Sequence, residues 1–153
     1  MEKLNSLLEE MRMRFPQYGL SRTDVSAADV GWHLEHSMLV IRRSIRAVME
    51  SDPKTYKRNY DLRAFLFFNV VRKIPRGRTR APEAVIPAPG ITEASLQESL
   101  DKTISVLGTF SKAQPKQYFR HGMLGNLDRE RTRMLLEFHT RHHLDIIRDI
   151  AGG

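Results

Sequence analysis

The sequence has no cysteine. That excludes a disulfide framework, a thiolate zinc site and a cysteine nucleophile, and it leaves His, Asp and Glu as the side chains that would hold any metal. No apolar run approaches the ~20 residues of a membrane-spanning helix. The opening MEKLNSLLEEMRMRF mixes acids and bases where a signal peptide carries an apolar stretch, so a cytoplasmic protein with no membrane partner is expected. A Gly-rich phosphate loop and a G-x-S-x-G elbow are missing. So is the metalloprotease H-E-x-x-H, because Thr140 follows His139 where a Glu would act as general base. With no internal repeat or long low-complexity tract, residues 1–153 read as one domain.

What is present is mostly helical pattern. Hydrophobic residues make up 41% and charged residues 28%, enough for a real core, and Lys plus Arg exceed Asp plus Glu by 25 to 18. The excess suggests attraction to anions. Leu4, Leu7, Leu8, Met11 and Phe15 form one stripe that Pro16 ends, predicting a helix over about 2–15. A second helix is expected from Ser26, with Asp29 three residues on, to about Glu50. The stretch 57–74, KRNYDLRAFLFFNVVRK with its neighbours, is aromatic and β-branched, and a helix is favoured because nothing else offers partner strands. Residues 73–90 carry four prolines, two glycines and a basic cluster, which predicts a long crossing loop. A fourth helix starts near Thr92 with Leu96, Leu100, Ile104, Leu107 and Phe110 on one face, and the last runs from near Asp128 to Ile150. The fold class expected is all-α, a four-helix bundle with a short extra helix.

The chemistry lies in the histidines. Three fall within residues 139–143, and at about 100° per residue His139 and His143 share the apolar stripe of Leu136, Ile146, Ile147 and Ile150. Two imidazoles at i and i+4 can converge on one ion. His142 falls at the stripe's margin. On the second helix the inward face runs through Val30, His33, Ser37, Val40, Ile41, Ser44 and Val48, with His36 rotated about 60° away, so the wheel favours His33 over His36 as a third ligand. Three histidines with open positions are the pattern of a catalytic site. The bland alternative, histidines satisfied by carbonyls or carboxylates, is common for a lone pair at this spacing.

These residues resemble the DinB/YfiT-like superfamily of metal-dependent proteins, in a branch of unassigned function. The likeness runs through GWHLEHSMLVI (31–41), KIPRGRTRAP (73–82) and YFRHGMLGNL with FHTRHHLDIIRDI (118–150). The resemblance implies an up-down-down-up bundle with one nickel, zinc or iron ion held by His139, His143 and either His33 or His36. A capping Ser seven residues before the ligand falls on Ser26 and His33, whereas alignment on the following L-x-I-x-x-S falls on His36. The loop His121-Gly122-Met123-Leu124-Gly125 departs from the pattern of relatives. Activities in the superfamily include thiol-dependent transfer and isomerisation, beside the hydrolysis expected of an ion that acidifies bound water.

Acid-base candidates are weak: His142, His121 and Glu35, with Glu137 and Asp145 read as solvated charges. Trp32 is read as a packing residue. Lys73, Arg76, Arg78 and Arg80, with Arg72, form a cationic cluster that would steer a small anionic substrate, or bind phosphates of nucleic acid in a reading not favoured because no stacking aromatics are interleaved. A homodimer is expected; a bundle serving only dimerisation is the remaining alternative.

Overall fold

The computed structural model describes residues 1–58, 62–76 and 81–152. The molecule is mostly helical. Helices α1 (Glu2–Met13), α2 (Val30–Glu50), α3 (Leu62–Leu66), α4 (Glu93–Phe110) and α5 (Arg129–Ala151) are joined by loops, and a hairpin of β1 (Tyr118–His121) and β2 (Gly125–Asp128) precedes α5. The all-α expectation is corrected by that hairpin, whose antiparallel register runs from Tyr118 opposite Asp128 to His121 opposite Gly125. Its strands are four residues each, too short for alternation to stand out from the helical pattern around them. Gly125 sits at φ 69°, where a side chain would be strained.

α1 and α2 each pack against both α4 and α5. The core between them takes Leu4, Leu8 and Met11 from α1, Leu34, Met38, Ile41 and Ile45 from α2, Leu96, Leu100 and Phe110 from α4, and Leu136, Leu144 and Ile147 from α5. At about 2 kcal/mol for each fully buried side chain, this face is what holds the helices together. One predicted core position is wrong: Ile104 is exposed, and Thr103 is buried in its place, taking a hydrogen bond from Arg42 Nη1 at 2.9 Å. That guanidinium also reaches Ser99 Oγ at 2.6 Å and Glu35 Oε1 at 3.0 Å, so a polar clamp fastens α2 to α4.

α2 begins at Val30, four residues later than Ser26. Asp29 is the N-cap, accepting from Trp32 N at 2.7 Å, and the Val30 and Gly31 N–H groups are taken by the carbonyls of Leu20 (3.0 Å) and Tyr18 (2.8 Å). α1 likewise stops at Met13 and gives way to a single 3₁₀ turn at Phe15–Gln17. The helix predicted over 57–74 is shorter: five α-helical residues continue as a π-helical turn, Phe67–Val71, that ends on Arg72 at φ 50°. Beneath it Ala64 and Phe68 pack with Leu124, Leu127 and Leu135 in a second small core. Of the predicted crossing loop over 73–90, residues 77–80 lie outside the described residues; residues 73–76 and 81–90 are irregular apart from a 3₁₀ turn at Glu83–Val85. Among the described residues no helix is long and apolar enough to cross a membrane.

Candidate metal centre

His36 of α2 and His139 and His143 of α5 each offer a ring nitrogen to one point, these atoms all lying within 4.8 Å of one another. The i,i+4 pair on α5 behaves as its spacing predicts, with ring centroids 4.5 Å apart. The third member differs from the helical-wheel choice. α2 is buried over a wide arc, because α4, α5, β1 and the Glu83–Val85 turn all pack on it, so His33 and His36 are both inside. His36 then faces His139 and His143, at centroid distances of 5.1 and 4.8 Å.

Neighbours orient the rings of His36 and His143. His36 Nδ1 donates to the Val85 carbonyl at 2.7 Å, which fixes its tautomer and leaves Nε2 with a free lone pair. Trp32, one turn earlier, stacks on the same ring at 4.6 Å and 13°. It does more than pack between helices. His143 Nδ1 meets His33 Nδ1 at 2.9 Å, and His33 Nε2 meets Ser26 Oγ at 2.9 Å, so both nitrogens of His33 are engaged. His139 Nδ1 is sealed from solvent with no hydrogen-bond partner among the described residues. A buried imidazole nitrogen left unpaired is costly, and a divalent ion is the kind of group that would satisfy it.

The electrostatics favour neutral ligands. Burial, reinforced by the other histidines, pushes His139 and His143 well below the ordinary imidazole range; burial lowers His36, and burial with His36, His142 and Arg76 lowers His33 to about 4. Only neutral imidazole ligates, so the site is charged with lone pairs rather than protons near neutrality. Buried neutral nitrogens of this kind fit a first-row divalent ion.

The other candidates separate. His142 is half-buried beside the centre, its ring 5.1 Å from His143, and burial first, then the nearby Arg76 charge, lowers its proton affinity. His121 Nδ1 accepts the N–H groups of Met123 (3.1 Å) and Leu124 (3.2 Å), so this nitrogen is spent on closing the hairpin turn. The carboxylates are committed elsewhere. Glu35 pairs with Arg42, Asp145 with Arg148, and Glu137, expected to be solvated, is buried against Arg133 and Lys3. Lys73 is exposed, and Arg76 is ion-paired to Asp149 at 2.7 Å while its charge reaches His33 and His142. Arg78 and Arg80 lie outside the described residues.

Sequence reasoning had no access to the Val85 carbonyl, 49 residues from His36 along the chain. The Trp32–His36 stack could have been found from its i,i+4 spacing. No curated protein and no solved structure matches the chain at a significant level. A family model does match, over residues 4–149, and the chain belongs to that family, described as a protein of unknown function, DUF1569.

Proposed function

We propose that the protein is a metal-dependent enzyme of the DinB-like type, in which His36, His139 and His143 hold one divalent ion and the reacting partner is water or a small-molecule thiol. The observation that carries this reading is the convergence of three histidines whose ring nitrogens lie within 4.8 Å of one another, in a ring cluster where His139 Nδ1 has no hydrogen-bond partner among the described residues. The contacts of α1 and α2 with α4 and α5 suit the four-helix bundle that such a protein would have.

Three neutral ligands leave the ion its full charge and open positions, from which it would acidify a bound water or thiol. The chain's own residues supply orientation and exclusion. Val85 and Trp32 hold His36, and the Ile74 to Arg76 segment lies against His142. Because Glu35, Glu137 and Asp145 are taken by arginines, His142 is the side chain best disposed to carry a proton to or from the reacting group. Arg76, exchanging Asp149 for substrate, gives the site its preference for a small anion. A homodimer belongs to the same reading, with the exposed apolar edge of Leu62, Phe65, Val70 and Val71 as its contact.

The test uses cobalt(II)-loaded, untagged protein. Addition of a small thiol produces a sulfur-to-cobalt charge-transfer band if a thiol is the partner. A spectrum that changes only with pH assigns the site to water. Absence of any cobalt spectrum under all loading conditions removes the reading.

A further inference from the structure

His33 is the unexplained histidine. It is 4% exposed and lies one turn before His36 on α2, yet the converging group excludes it. Its two ring nitrogens complete a chain: His143 Nδ1 to His33 Nδ1 at 2.9 Å, His33 Nε2 to Ser26 Oγ at 2.9 Å, and the Ala28 N–H onto the same Oγ at 3.1 Å. A hydrogen bond between two Nδ1 atoms needs one to donate and the other to accept, which allows two arrangements. If His33 donates, the neutral His143 ring has its only proton on Nε2, and neither of its nitrogens can ligate. If His143 donates, its Nε2 lone pair is free, and His33, accepting at Nδ1, passes its own proton from Nε2 to Ser26.

We propose that His33 is a positioning residue that selects the metal-binding tautomer of His143, with Ser26 anchoring it. This rests on the assignment of His36, His139 and His143 as ligands. The geometry does two further things. It ties the His143 ring to α2 through Nδ1, and it raises the electron density on Nε2, because an Nδ1–H held by an acceptor makes the other nitrogen a better donor. Ser26 can play its part because α2 does not start until Val30; in a helix begun at Ser26 its hydroxyl would cap the backbone instead. The seven-residue spacing from Ser26 to His33 therefore has a structural meaning other than ligation.

The experiment measures cobalt(II) affinity by competition, and the visible ligand-field spectrum, for His33→Leu, His33→Gln, Ser26→Ala and His36→Leu. His33→Leu is expected to bind one ion about 10–100-fold more weakly with an altered spectrum, the cost usual for loss of a ligand's hydrogen-bond partner. His33→Gln, whose amide oxygen accepts from His143, recovers most of the affinity. Ser26→Ala gives a smaller weakening and stands in if His33→Leu does not fold. Wild-type affinity and spectrum in His33→Leu, or in Ser26→Ala where His33→Leu fails to fold, overturn the proposal. So does complete loss in His33→Leu and His33→Gln beside retention in His36→Leu, since that makes His33 the ligand. Full affinity in His36→Leu with the expected losses at His33 would instead undo the ligand assignment.

Discussion

At the scale of the residue, four imidazoles sit where an imidazolium would lose its hydration. All four have their proton affinity lowered mainly by burial, His33 to about 4. The unfolded chain binds protons at these groups near 6.5, the folded chain only at lower pH, so between the two values the unfolded state holds more protons and folding stability falls as pH falls. For His33 alone this window runs from 6.5 down to about 4 and amounts to roughly 3 kcal/mol at its lower end. Urea titrations of the metal-free protein from pH 7.5 to 4.5 are expected to give a steadily decreasing midpoint, and a flatter decrease for His33→Gln. The same depression sets the pH dependence of metal binding. A free imidazole site weakens as pH drops through about 6. Here protons compete poorly for His139 and His143, and cobalt affinity measured against pH is expected to hold to a lower value than that.

At the scale of the element, α2 carries one histidine of the candidate site, and its start is fixed by contacts more than by pattern. Asp29→Ala removes the side-chain cap on Trp32 N and is expected to cost about 1 kcal/mol in a denaturant titration. Gly31→Ala gains helix propensity of about 1 kcal/mol but places a methyl 3.0 Å from the Tyr18 carbonyl oxygen and 3.2 Å from Ile91 Cγ2, both packed against the helix. The close approach to backbone wins, and a lower melting temperature is the expected outcome. The α5 pair was legible because two residues four apart on an amphipathic helix must share a face, whatever the rest of the chain does. The choice between His33 and His36 was not. A wheel ranks positions by one direction of burial, and α2 is enclosed from several, including by the Val85 turn that no local pattern ties to it. The hairpin was hidden for a similar reason: four-residue strands paired only with each other leave too short a signature. Ile104 and Thr103 changed places because Arg42 made a polar residue the better occupant of the α2–α4 seam.

At the scale of the whole molecule, the described residues leave one apolar edge exposed. Leu62 (68% exposed), Phe65, Val70 and Val71 line that edge. Phe65→Glu combined with Val70→Glu is expected to shift a dimer to monomer in light scattering while leaving cobalt affinity unchanged; a wild-type monomer contradicts the pairing. The proposed metal centre joins α2 to α5 through side chains 103 and 107 residues apart in sequence, so bound metal should also stabilise the fold by linkage. The most direct measurement is the metal content of untagged protein after loading with zinc, nickel or cobalt and exhaustive desalting. The account predicts one ion per chain, lost in His36→Ala and in His139→Ala/His143→Ala. A chain that retains no ion under any loading condition, or one that retains it in those variants, contradicts it.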